Sequence, residues 1–293
     1  MAKIKDLLQA GRTFSFELMP PRTPEREIQL DEALGGLEPL RPSFVSVTYG
    51  AAGSTRDQTY ELVKQMLDRS FTSPMAHLTC AAHTKTELVS LLESYAEDGL
   101  QNILALYGDP PLSSNETELP QGELTHAVEL VRLVREIGDF SVGVAAHPEG
   151  HPKAPDRKTD RQHQAAKLRE ADFGVTQFFF RASDYFGFVE DMTKLGVDTP
   201  VIPGILPPTN FRQLDRMAEM SGADVPEGIR EQLAPLADKP RDFRAKGVEI
   251  ATQLSQELLD GGAPGLHFYT MNRSTATREI YANLGLRPST VTV

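Results

Sequence analysis

The sequence predicts an α/β fold, a (β/α)8 TIM barrel, from three observations: eight short apolar runs, helical patterns between them, and a regular spacing. The runs are "TFSFELMP" from Thr13, "FVSVTYG" from Phe44, "MAHLTC" from Met75, "NILALYG" from Asn102, "SVGVAAHP" from Ser141, "GVTQFFF" from Gly174, "VIPGILP" from Val201 and "GLHFYTMN" from Gly265. Each has strand length and is rich in β-branched or aromatic residues. Their starts lie about 27 to 39 residues apart until the last interval, a period that implies a parallel sheet with right-handed crossovers. An open doubly wound sheet is the alternative, but no G-x-G-x-x-G follows the first strand to support it.

Ahead of the first strand, "MAKIKDLLQAGRTF" reads as a short amphipathic helix without the apolar block of a signal peptide. Between strands, "TYELVKQMLDRS" (59–70), "TKTELVSLLESYAEDG" (84–99), "HAVELVRLVREIG" (126–138) and "RAKGVEIATQLSQELLDGG" (244–262) place apolar residues at helical spacing, and several end on Gly. Ser183 and Asp184 are candidates to cap the helix after strand six. The long last interval carries "GADVPEGIREQLAPLADKPRDF", a helical insertion around 222–244 with one or two further helices. No linker or composition break divides the chain, so 1–293 reads as a single domain.

Composition limits the function classes. At 40% hydrophobic, 293 residues can bury a sizeable core, yet no run approaches the roughly 20 apolar residues that span a bilayer. The expectation is a soluble cytoplasmic protein. A single cysteine, Cys80, excludes an internal disulfide and a cysteine-based zinc site, and reads as a buried core thiol. A formal net charge of -11 argues against nucleic acid and against an anionic membrane, both of which are bound through clustered Lys and Arg. A small molecule is the expected partner, and apolar helix faces leave a homo-oligomer open.

In such a barrel the site forms at the C-terminal ends of the strands. Those ends carry Glu17, Thr48, Tyr49, His77, Thr79, Tyr107, Asp109, His147, Glu149, Gln177, Tyr269, Thr270, Asn272 and Arg273. Polar groups recurring on one rim imply a deep polar pocket. Glu17 is the most telling, because burying an unpaired carboxylate is costly or raises its pKa. Each residue has a structural alternative: Glu17 facing outward against a lysine, His77 and Gln177 as satisfied core polar groups. "HPEGHP" (147–152) offers histidines at i and i+4, a metal spacing only on a helix, which its prolines and glycine forbid; no metal is expected.

Taken in order, "FSFELMPPRT", "VSVTYGAAGSTRDQT", "HLTC", "NILALYGDPP", "HPEGHP", "TQFFF", "PGILPPTNFRQ" and "HFYTMNR" resemble the methylenetetrahydrofolate reductase family, from about residue 13 to 287. The resemblance implies a (β/α)8 barrel that reduces 5,10-methylenetetrahydrofolate to 5-methyltetrahydrofolate with NADH or NADPH, with no room for the regulatory domain of some eukaryotic relatives. It makes Glu17 the proton donor that opens the folate's imidazolidine ring. It makes Asp109, a second catalytic residue, and Gln177 the pair on the pterin edge, and Gln213 and Arg273 further folate contacts. Thr48, His77, Tyr107, His147, His151 and Lys167 correspond to the flavin and nicotinamide side.

The departures from the family pattern bear on FAD. Tyr107 stands where flavin-dependent relatives have Arg before "GDP", His147 replaces the tyrosine of "YPE", and the Arg-Lys pair of the next helix is Ala166 and Lys167. His126 stands where an aromatic contact is expected. A phenol does not replace a guanidinium fork on a pyrophosphate. The resemblance is therefore to the flavin-free branch, with direct hydride transfer in a ternary complex. The alternatives are an FAD-dependent ping-pong reductase and, from another class, a noncatalytic folate-binding protein, against which the presence of both Glu17 and Asp109 argues.

Overall fold

The computed structural model describes residues 1–50, 55–69, 72–108 and 122–286. Among these residues, nine parallel strands run in the order β7-β6-β5-β4-β3-β2-β1-β9-β8. They are β1 (Thr13–Leu18), β2 (Phe44–Val47), β3 (Ser73–Thr79), β4 (Asn102–Leu106), β5 (Ser141–Ala146), β6 (Phe173–Thr176), β7 (Val201–Ile202), β8 (Gly204–Ile205) and β9 (Gly265–Tyr269). The expected (β/α)8 TIM barrel is what the chain forms, with one correction. The seventh run is two strands, because Pro203 has no N–H for the ladder.

That break closes the ring. β7 pairs with β6, β8 pairs with β9, and the Pro203 carbonyl accepts from His267 N–H at 2.9 Å. Gly204 N–H then donates to Thr176 Oγ1 at 2.8 Å, and a Cβ on Gly204 would lie 2.4 Å from the Thr176 carbonyl and 2.5 Å from the Tyr269 ring. Only glycine lets the two edges of the sheet meet there.

Among the described residues, ten helices pack around these strands and a further short one plugs the floor of the ring. Covering them outside are α2 (Pro24–Leu37), α3 (Arg56–Arg69), α4 (Lys85–Glu97), α5 (Ala127–Ile137), α6 (Arg157–Glu170), α7 (Ala182–Lys194), α8 (Phe211–Ser221), α9 (Glu227–Leu233), α10 (Pro240–Asp260) and α11 (Thr275–Asn283). Buried on both faces, the strands read as continuous apolar runs, and all seven residues of β3 are buried. The last long helix begins at Pro240 rather than 244, since proline at the first helical turn starts a helix without loss, so the end of the "KPRDF" stretch belongs to α10. Arg181, not Ser183 or Asp184, is the N-cap residue of α7; Asp184 lies in the first turn and pairs with Arg181 at 3.3 Å.

The first helix, α1 (Ile4–Ala10), plugs the barrel floor. Ile4 packs with Phe44, Met75, Leu104, Phe173 and Ile202 inside the ring. The helix has no cap of its own, and strand starts supply one: Ile4 N–H donates to Asn102 Oδ1 at 2.7 Å, and Lys5 N–H to Ser141 Oγ at 3.1 Å. The Asn102 amide donates back to the carbonyls of Ala2 and Pro74 at 3.2 Å. Asn102→Ala removes the cap and orphans buried groups, and is expected to cost about 2 kcal/mol. An unchanged urea midpoint would contradict this.

Candidate active site

In β1, Phe16 packs outward on Tyr281 of α11, with ring centroids 5.6 Å apart, so Ser15 and Glu17 point into the barrel. The same alternation in β9 turns Phe268 outward and His267 and Tyr269 inward. His267 forms the lower layer: Ser15 Oγ lies 2.8 Å from its Nδ1, Ser46 Oγ 3.4 Å from its Nε2, and Phe44 stacks on its ring. Glu17 lies one layer higher, at the barrel mouth.

The Glu17 carboxyl is 14% exposed, and its Oε2 is 3.8 Å from Nε2 of His77 on β3. That is too long for a hydrogen bond, and His77 Nε2 is buried without another partner. Burial pushes Glu17 up to about 8 and His77 down to about 3. His267 is likewise held near 3, chiefly by burial and then by His77. At neutral pH the mouth therefore holds a protonated carboxylic acid among neutral imidazoles, and among the described residues no lysine pairs with it. Opposite Glu17 in the β1–β9 register stands Tyr269, whose hydroxyl donates to the Thr176 carbonyl at 2.5 Å and whose pKa is raised by burial and by Glu17.

Tyr269 also lines a cavity of about 560 Å³ between the loop before α8 and the loop after β9. Gln213 and Arg273 line it too, so two of the expected folate contacts share one space that reaches Glu17's neighbour. Gln177 follows β6, its N–H bonded to the Ala146 carbonyl and its Oε1 accepting from Phe178 N–H at 3.0 Å. Asp109 lies outside the described residues. Gly108 before it has φ +98 and a Cβ there would be 2.8 Å from Thr79 Cβ, so the chain passes the rim only as glycine.

The remaining residues follow other strands or, for Lys167, stand on α6. Thr48 follows β2, its N–H bonded to the Leu18 carbonyl at 2.9 Å. Tyr107, at the end of β4, is 50% exposed, and its carbonyl accepts from Ala81 N–H at 2.8 Å. After β5, the rings of His147 and His151 meet edge to face with centroids 4.7 Å apart. Burial, with Lys167 and His151 adding to it, lowers His147 to about 3. Burial also lowers Lys167 to about 8, with Asp160 opposing.

Sequence reasoning missed what holds this loop. The buried Arg161 donates from Nη1 to the His147 carbonyl at 3.1 Å and to Asp160 at 3.0 Å, and from Nη2 to the Pro148 carbonyl at 2.6 Å. Its Nε reaches Asp191 at 3.0 Å, and Phe188 lies under the guanidinium at 4.9 Å. Gln164 brackets His147 from N–H to C=O at 2.7 and 3.0 Å, and Asp160 accepts from His151 N–H at 3.1 Å. His267 was also missed, although its place two residues before Tyr269 was the available signal. Among the described residues no group of His, Cys, Asp and Glu is arranged to hold a metal, and no helix is long and apolar enough to cross a membrane.

The model of the methylenetetrahydrofolate reductase family matches residues 3–285. The chain belongs to that family. It is 37% identical over 282 residues to the 5,10-methylenetetrahydrofolate reductase of Escherichia coli K12, spanning 96% of this chain and 93% of that protein. It is 34% identical to methylenetetrahydrofolate reductase (NADH) 1 of Arabidopsis thaliana, spanning 97% of this chain and 50% of the plant protein. Among solved structures, a Clostridium thermocellum protein described as binding two copies of 5-methyl-5,6,7,8-tetrahydrofolic acid superimposes with a TM-score of 0.65. The alignment covers 96% of this chain and 98% of that one at 13% identity, which speaks for the shared fold.

Proposed function

We propose that this family member reduces 5,10-methylenetetrahydrofolate to 5-methyltetrahydrofolate, taking hydride directly from NADH or NADPH in a ternary complex. The observation that carries the reading is the buried Glu17 carboxyl, its pKa raised by burial to about 8, paired in register with Tyr269 on the wall of the cavity that Gln213 and Arg273 also line. The substrate's five-membered ring opens when its N10 is protonated, leaving an N5 iminium ion. A carboxylic acid that keeps its proton near neutral pH is suited to that transfer. Hydride from the dihydronicotinamide then adds its electron pair to the exocyclic carbon, giving the methyl group and an oxidised nicotinamide. Glu17, left as carboxylate, regains its proton from solvent through the barrel mouth.

Asp109 and Gln177 would match the donor and acceptor edge of the pterin, Asp109 also stabilising the cationic intermediate. Gln213 and Arg273 would hold the aminobenzoyl-glutamate portion, with Arg273 facing its carboxylates. Thr48, His77, Tyr107, His147, His151 and Lys167 would receive the nicotinamide dinucleotide.

A resident FAD fits these residues poorly. It has to stay bound between turnovers, at a dissociation constant near or below about 1 µM, whereas a nicotinamide substrate need only visit. Arg161 is committed to two carbonyls and two carboxylates, Lys167 has its charge weakened by burial, and a phenol occupies position 107. The test is a visible spectrum of the purified protein after incubation with excess FAD and desalting, followed by initial rates with NADH and methylenetetrahydrofolate. The expected result is a colourless protein that forms 5-methyltetrahydrofolate with intersecting double-reciprocal lines. A yellow protein with stoichiometric flavin and parallel lines would overturn the cofactor reading, and no product would overturn the function.

A further inference from the structure

We infer that Asn272 is a positioning residue, one whose side chain clamps the strand end carrying Glu17 to the loop carrying Arg273. The catalytic consequence rests on the function proposed above; the clamp itself stands on geometry. Strand β1 cannot extend its ladder past Met19, because Pro20 and Pro21 have no N–H. The last β1–β9 register pair is Glu17 with Tyr269, after which β9 turns away. In the place of a ladder partner stands the Asn272 side chain. Its Oδ1 accepts from Met19 N–H at 2.8 Å and its Nδ2 donates to the Met19 carbonyl at 2.8 Å.

Two neighbours complete the clamp. Thr270 Oγ1 donates to the carbonyl of Glu17 itself at 2.6 Å, and Gln29 Nε2 of α2 donates to the Asn272 carbonyl at 3.1 Å. The main chain is thus held at Glu17 and again at Met19, by one short loop. The same loop is in a strained form: Met271 and Asn272 have φ of 52° and 51°, the left-handed region that L side chains avoid. Met271 packs against the cluster around Phe178 and Leu206, and both Met271 and Arg273 line the folate-sized cavity. A displacement of Asn272 therefore moves the acid and the cavity wall together.

Asparagine tolerates left-handed backbone better than most residues, so a merely conformational role is the competing account. Asn272→Gly separates the two, since glycine keeps the backbone and loses the amide. Asn272→Asp retains the acceptor for Met19 N–H and loses the donor to its carbonyl, and carries the test if the glycine variant does not fold. The readouts are kcat with product detection and a carboxyl ¹³C NMR titration of Glu17 in the ligand-free protein. The expected result is a kcat lowered about 10- to 100-fold in Asn272→Gly, with an intermediate loss in Asn272→Asp. The Glu17 titration should move down from about 8 toward the ordinary carboxylate range. Wild-type kcat and wild-type titration in a folded variant would overturn the inference. If the unsubstituted protein makes no 5-methyltetrahydrofolate, the proposed function fails, and the titration alone decides the clamp.

Discussion

Glu17→Gln is expected to lower turnover about 100- to 10,000-fold while the barrel folds and folate still binds. The amide matches the carboxyl in size and keeps a polar group at the mouth, but its N–H protons are not acidic enough to give to N10. Product formation under single turnover, with folate affinity measured separately, distinguishes lost chemistry from lost binding; near-normal turnover would remove Glu17 from the mechanism. The same variant reports on the electrostatics. With its pKa raised from about 4.5 to about 8, Glu17 keeps its proton in the folded protein where the unfolded chain has lost it. Its contribution to stability is thus fully present below about pH 4.5 and is lost as pH rises to about 8. Glu17→Gln has no such slope, so it should gain on the unsubstituted protein across that window, by on the order of 4 kcal/mol at pH 8. Melting temperatures against pH measure this, and parallel curves would mean that Glu17 is not desolvated.

Arg161→Met should destabilise the protein by about 3–5 kcal/mol, because it breaks a buried ion pair from one side. Asp160, 3% exposed, would keep its bonds from Gln164 and His151 but lose the charge that balances it. The carbonyls of His147 and Pro148 would lose their guanidinium donor, freeing the loop that carries His147 and His151. Arg161→Lys should rescue little, since one ammonium cannot serve four acceptors spread around a planar fork. Urea denaturation checks the first effect; a loss under about 1 kcal/mol would show that the network is not a stability element.

Arg161 also marks where sequence reading stops. The α6 sequence "RKTDRQHQAAKLRE" reads as a solvated helix, yet beside Ala165 and Leu168, which reach the core, its buried face carries Asp160, Arg161 and Gln164, which serve the loop after β5. Periodicity of apolar residues cannot find such a face. The eight runs were legible for the opposite reason: covered on both sides, the strands are mostly apolar, and a charged residue inside one, Glu17, stands out. Pro203 lay in plain view, but whether a proline ends a strand or splits it depends on which neighbours it meets across the closing ring. His267 belonged to a strand already read, yet its role as the layer beneath Glu17 needs Ser15 and Ser46 from two other strands. Asn272 was seen as a rim residue, while its partner, the main chain of Met19, lies 253 positions away.

The claim that hydride passes directly to the folate is tested most directly with NADH deuterated at the transferable position, in ordinary water and without added flavin. Direct transfer predicts one deuterium retained in the methyl group of 5-methyltetrahydrofolate. Product with the label washed out would contradict the account, because it requires a carrier, such as a reduced flavin, whose N–H exchanges with solvent between the two half-reactions.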